Sequence, residues 1–215
     1  NIPQFEQALD AKNRDIFRHL NSPADIQAYL DSIPYVGEDL NRSPLRVMQD
    51  RQSHCLDGGM FAALALSRIG HRPLILDLVP ALGMDDDHVL AIFKHQGRFG
   101  AVAKSNFVGL RYREPVYRSL RELAMSYFEV FFNIDGIKTL RGYTRPLNLN
   151  RFDHIAWTTQ EDAVEVVVRH LYGLPSIALL DEAQSAALLP VDRRSYEAGM
   201  LGVNYDGLYH PGSGH

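Results

Sequence analysis

The chain is short of cysteine, of basic charge and of long apolar runs, and each shortage narrows what it can be. One cysteine among 215 residues leaves no internal disulfide framework and no cysteine-rich zinc site. No apolar stretch reaches about 18 residues, the length that argues for a membrane span. The net charge is −4 and the isoelectric point about 6.1, so no strongly basic surface singles out nucleic acid as a partner. The start, Asn1-Ile2-Pro3, shows no signal-peptide pattern, and the expected location is cytoplasmic. No repeat or low-complexity linker divides the chain, so one domain over residues 1–215 is expected. No function is assigned to the tail, Pro211-Gly212-Ser213-Gly214-His215. What is present is an ordinary globular mixture, 46% hydrophobic and 22% charged, long enough to bury a substantial core.

The N-terminal third reads as helical. Phe5, Leu9, Ile16, Phe17 and Leu20 share roughly one helical face across residues 4–20. Ser22-Pro23-Ala24-Asp25 is a helix start, with Ser22 as cap and Pro23 in the first position. That helix runs to about residue 33. A polar loop at 37–42 precedes a second Ser-Pro start at Ser43-Pro44 and a short helix over 45–50. The middle then changes period. Residues 73–79, 88–94 and 98–104 read as strands, the last two joined at His95-Gln96-Gly97 as an antiparallel hairpin. Folding back around Gln96 brings residues 104–106 level with His88. The last half reads as mostly helical, with helices expected over 117–132, 159–171, 181–189 and 192–201 and irregular chain from 203.

Cys55 stands in Arg51-Gln52-Ser53-His54-Cys55-Leu56-Asp57-Gly58-Gly59, just before an apolar, small-residue helix over 60–69 closed by Gly70. A thiol at a helix start meets orphan N–H groups and the positive dipole end, which favour a thiolate. A lone cysteine is most often a small buried hydrophobe. The polar neighbours Gln52, Ser53, His54 and Asp57 argue against that here. Farther on, Asp85-Asp86-Asp87-His88-Val89-Leu90 places a histidine at the opening of an apolar strand. A cysteine at a helix start and a histidine at a later strand start make the layout of a cysteine-nucleophile enzyme.

With these residues placed, the pattern resembles the transglutaminase-like superfamily, which shares its core with papain-like cysteine proteases, and small bacterial members in particular. The resemblance covers residues 24–107. It rests on the stretch from Val47 to Gly59, on Gly70 followed by the strand at 73–79, and on Asp87-His88-Val89 followed by 98–106. It implies an α+β fold: a small antiparallel sheet packed on the cysteine-bearing helix, with extra N- and C-terminal helices, the core over about 24–107 and a helical C-terminal extension over about 108–203. It maps the nucleophile onto Cys55 and the base onto His88. The family's usual aspartate is missing from Phe99-Gly100-Ala101-Val102-Ala103-Lys104-Ser105-Asn106. Asn106 is the expected third member, orienting His88 through its ring N–H as in an asparagine-type triad, with Ser105 its competitor. A dyad and a degenerate site remain open.

Other residues complete the expectation. Gln49 and Gln52, shortly before Cys55, are candidates for a side-chain oxyanion donor. Both also fit a solvent-facing position. Arg111 and Arg113, in the loop after Asn106, are candidates for binding a carboxylate-bearing substrate. Pairing with local acids such as Glu114 explains them equally well. Asp85, Asp86, Asp87 and His88 offer metal-type ligands, but consecutive loop acids cannot all point inward, and no metal or other cofactor is expected. Tyr127, Phe128, Phe131 and Phe132 read as a core stripe. Three functions are carried forward on a peptide or small-molecule acyl substrate. The first is hydrolysis of an amide or peptide bond through a thioester, and the second is acyl transfer that forms an amide. The third is a catalytically silent scaffold that binds through the old cleft.

Overall fold

The computed structural model describes residues 2–38 and 40–211. Asp39 of the expected polar loop and the tail residues 212–215 lie outside them. The first elements are α1 (Ile2–Ala8), α2 (Ala11–His19), α3 (Pro23–Asp31), α4 (Pro44–Asp50) and α5 (Cys55–Arg68). Then come β1 (Leu74–Pro80), β2 (His88–His95), β3 (Arg98–Val102), β4 (Arg113–Tyr117) and α6 (Leu120–Met125). The remainder is β5 (Leu140–Thr144), β6 (Leu147–Asn148), α7 (Glu161–Tyr172), β7 (Ser176–Ala178), α8 (Glu182–Ala186) and α9 (Arg193–Gly199).

Local chemistry explains the helix starts. Ser22 accepts the Asp25 N–H at 3.1 Å and Ser43 the Arg46 N–H at 3.3 Å, each followed by a proline in the first turn. The single helix expected over 4–20 is instead two. Asp10 accepts the Asn13 N–H at 2.8 Å and starts α2 afresh. After α4, Arg51 takes a left-handed conformation, φ 54°, which turns the chain into α5.

The fold is α+β around one antiparallel sheet with the order β4-β3-β2-β1-β5-β7, β6 pairing with the start of β1. The β2–β3 hairpin closes at Gln96 and Gly97, both at positive φ, 48° and 76°, as a tight two-residue hairpin turn requires. Both faces of the central strands are covered, so their sequences are nearly continuous apolar runs. Alternate residues separate two cores. Ile75, Val89, Ala91 and Val102 join the core built with α3, α4 and α5. Leu76, Leu78, Leu90, Ile92 and Ala101 join a second core with Leu123, Tyr127 and Phe131.

The C-terminal part departs from the expected helical extension. The helix expected over 117–132 is strand β4, the short α6 capped by Ser119, and a 3₁₀ turn at Phe128–Val130. The aromatic stripe is core-facing as expected, but spacings of three and four residues do not separate an α-helix from such turns. Strands β5, β6 and β7 were not expected. Gly142 hides β5 from a propensity reading. It is glycine because β7 passes so close that a Cβ would lie 2.1 Å from Ser176 Oγ. Among the described residues, no helix is long and apolar enough to cross a membrane.

Candidate active site around Cys55

Cys55 is the first residue of α5, after an extended His54. The Asp57 carboxyl reaches back to the His54 N–H at 3.5 Å, and burial pushes it up to about 7. Gly58 and Gly59 let α5 sit directly on its neighbours. A Cβ on Gly58 would lie 2.3 Å from Lys104 Cβ, and one on Gly59 2.8 Å from Val89 Cγ1. Behind the helix start, Asp57 takes the Arg42 N–H at 2.7 Å. The buried Arg42 guanidinium also meets Glu38 and Asp50. Asp57 and Arg42 therefore hold the helix mouth and stand outside the cleft wall.

The thiol is 7% exposed. Cys55 lines a cleft of about 510 Å³ whose wall also includes Tyr35, His54, Asp87, Tyr172 and His210. Sγ lies 3.7 Å from the Asp87 carbonyl oxygen. Burial pushes the thiol up, Asp87 and Asp86 push it further in the same direction, and the Val89 N–H acts against them. The helix terminus alone thus does not make Cys55 a thiolate here: desolvation and two neighbouring carboxyls outweigh it.

His88 is not brought to the thiol. It pairs with Leu78 across the β1–β2 ladder and shares that residue's face, the second core. Its ring lies edge-on to Tyr127 and Phe131, and Nε2 is 2.6 Å from the Leu110 carbonyl oxygen. It is 4% exposed, and burial lowers it to about 4, so it is a neutral core imidazole near pH 7. Its neighbour Val89 packs on Gly59, on the face that bears α5. The expected Cys55–His88 contact is corrected by strand parity: consecutive residues point to opposite faces.

The carboxyl on the thiol's face is Asp87. It interacts with the Asp77 carboxyl of β1, and each is raised by burial and by neighbouring acidic charge. One buried oxygen on each, Asp77 Oδ1 and Asp87 Oδ2, has no hydrogen-bond partner among the described residues. The Tyr172 hydroxyl donates to Asp87 Oδ1 at 3.4 Å. Asp77 was missed by sequence reasoning, although a carboxylate inside Leu74-Ile75-Leu76-Asp77-Leu78-Val79 is a visible irregularity. Tyr35 and Tyr172 carried no comparable signal. The other loop acids diverge: Asp85 accepts from Thr139 Oγ1 at 2.5 Å and Asp86 is exposed. Among the described residues, no three His, Cys, Asp or Glu side chains are grouped to hold a metal ion.

Of the remaining expected residues, Ser105 and Asn106 line a small cavity with His88, away from the cleft wall that includes Cys55. The Asn106 amide is engaged by the C-terminal segment and not by the His88 ring, whose Nε2 faces Leu110. Its Nδ2 donates to the Asn204 carbonyl at 2.8 Å and the Gly207 carbonyl at 3.3 Å. Ser105 Oγ accepts the Phe107 N–H at 3.0 Å, a local turn contact. Gln49 is exposed on α4, Gln52 is half-buried in the turn before α5, and the cleft wall includes neither. Arg111 pairs with Asp31 at 3.3 Å. Arg113 lies over the Tyr127 ring, 3.9 Å from its centroid. It also donates to Ser126 Oγ and to the Tyr112, Gly109 and Ser126 carbonyls. That set of partners makes Arg113 a structural clamp.

No protein-family model matches the chain, and no curated protein does. Among solved structures it is similar to Legionella pneumophila LapG, in two structures of which one is EGTA-treated. Identity is 13% in each, with a TM-score of 0.36, covering 48% of this chain and 68% of LapG. A likeness of that extent carries no argument about activity.

Proposed function

We propose that the chain is a cysteine-dependent enzyme of transglutaminase-like, papain-like type that acts on amide bonds through a thioester at Cys55. The observation that carries this is the position of Cys55: first residue of a buried helix, in the wall of a cleft large enough for a peptide or small acyl substrate. The sulfur attacks the acyl carbon as its proton leaves, forming the S–C bond. The C–N bond then breaks, and the departing amine takes the proton. Orphan N–H groups of the first turn of α5 face the developing oxyanion. Water completes hydrolysis, and an amine completes acyl transfer.

A second reading, a catalytically silent binding scaffold, is favoured by one observation: His88 is turned into the opposite core. Incubation with 4-nitrophenyl acetate followed by intact mass analysis separates the two. The enzymatic reading expects an acetyl group on Cys55 that is lost over time, faster with an added primary amine if the reaction is acyl transfer. No adduct, or an equal one in Cys55→Ala, supports the scaffold.

A further inference from the structure

A second cavity, of about 370 Å³, lies at the end of the sheet away from Cys55, between the turn that follows α5 and the close of the β2–β3 hairpin. Gly70 ends the helix at φ 93°, and the His71 N–H reaches back to the Leu66 carbonyl at 3.0 Å, which fixes the entry into β1. Leu74 pairs with Ile92 across β1 and β2, and Lys94 with Phe99 across β2 and β3. By the alternation of the pleat, these four share the face of the second core. Leu120 of α6 and Pro146 complete an apolar floor. Ile92 is buried, and Leu74, Phe99 and Leu120 are half-buried. Leu78, the residue opposite His88, is about 13 Å farther along β1, so this floor is separate from the thiol's surroundings. Its volume and apolar lining are those of a small-molecule site.

The charge around the cavity is of one sign. His71, Arg72 and Lys94 line it, and no Asp or Glu does. The Lys94 ammonium stands over the Phe99 ring, 4.2 Å from its centroid, which holds a positive charge directly above the apolar floor. Neither Lys94 nor Arg72 has an ion-pair partner among the described residues. The segregation extends along the chain. Residues 58–76, 88–113 and 136–152, which supply most of the wall, contain no Asp or Glu, although acidic residues outnumber Lys and Arg by 26 to 22 overall. A concave apolar wall with basic groups and no counter-charge concentrates anions. We propose that this cavity binds a small organic carboxylate with an apolar body. Arg72 and Lys94 hold the carboxylate, and Leu74, Ile92 and Leu120 receive an aromatic or branched body. An inorganic anion would use only the rim, and a neutral apolar molecule only the floor. The site is independent of the chemistry proposed for Cys55.

The test is calorimetric titration of the full chain with 4-phenylbutyrate, with 4-phenylbutyramide and acetate as controls. The acid is expected to bind saturably with a Kd of about 1 mM or tighter, and more weakly as NaCl is raised. The amide keeps the ring and lacks the charge, and acetate keeps the charge and lacks the ring. Each is expected to bind more weakly than the acid by about fivefold or more, the amide because it forgoes the ion pairs and acetate because it buries no ring. Arg72→Gln and Lys94→Gln are each expected to weaken the acid about fivefold, the upper range for exposed ion pairs, and to leave the amide unchanged. Arg72 and Lys94 are exposed, so both variants are expected to fold, and thermal melting checks this. Arg151→Gln, a loss of one positive charge outside the cavity, is expected to bind like the parent. No saturable binding of the acid, equal binding of acid and amide, or parent-like affinity in both cavity variants overturns the inference. An equal loss in Arg151→Gln also overturns it, because the attraction would then belong to the overall charge and not to this site.

Discussion

The two faces of the sheet use alternate residues of the same strands, yet they have opposite character at the end where β2 begins. On the α5 face, Asp77 and Asp87 stand beside a thiol and the Tyr172 hydroxyl. On the other, His88 is enclosed by Tyr127, Phe131 and Leu110. Both faces hold a titratable group where water is scarce, and they treat it differently. The polar face keeps its carboxyls by raising both toward the protonated form. The apolar face keeps its imidazole by leaving it neutral. The chemistry available to a residue is thus set by which side of the strand it occupies, and a shift of one residue in register would exchange the two.

Four variants sharpen or break this contrast. Cys55→Ala has the largest effect: complete loss of acyl-enzyme, with a stability cost of about 1 kcal/mol because little volume is removed. Mass analysis and urea titration measure the two quantities. Next is His88→Ala. Its ring fills a core, so the variant is expected to lose about 3 kcal/mol of stability while the remaining folded protein still acylates at Cys55. Loss of acylation without loss of stability would mean the faces are not separate. Gly59→Ala follows, at about 2 kcal/mol, because its methyl meets Val89 and the helix has to lift. If the lift is transmitted to the thiol, the alkylation rate of Cys55 by iodoacetamide rises with it.

The smallest effect is in the pH dependence, where the two faces slope in opposite directions. Asp77 and Asp87 have folded values raised above the ordinary carboxylate value of about 4, so the folded state retains protons that the unfolded chain has released. Their stabilisation is fully present below about pH 4 and is lost as pH rises through the folded values. His88 is depressed to about 4 from an ordinary value of about 6.5. Its contribution is complete above about pH 6.5 and is lost as pH falls toward 4. Asp77→Asn, which removes one of the two raised carboxyls, is therefore expected to match the parent near pH 5 and exceed its stability at pH 8. Denaturant titrations across that range measure both slopes. A parent-like decline in Asp77→Asn would remove Asp77 as a source of the slope.

Much of the frame was legible in the residues. The Ser22-Pro23 and Ser43-Pro44 starts carry their own capping chemistry, and Gln96-Gly97 carries the backbone freedom of a tight turn. The step from helix to strand at Gly70 and the place of Cys55 at a helix mouth follow from equally local rules. Strands β4 to β7 escaped because they are short, lie toward the sheet edges, and contain Pro115 in β4 and Gly142 in β5, which read as interruptions. Their pairing is held by neighbours distant in sequence, such as Gly142 against Ala178.

By itself the sequence determined the elements around the thiol, the hairpin that follows and the residues able to do chemistry. These depend on interactions between residues a few positions apart. Tertiary structure alone decided which of those residues meet. His88 is next to Asp87 in the chain and on the other side of the sheet in space, because the pleat alternates. Asn106 meets Asn204, and His210 reaches the Cys55 cleft, because long-range packing returns the C-terminal segment there. A pattern of residue types shows which groups exist near a site. Only the register and the packing of distant segments set their distances and their solvent, and with them their protonation.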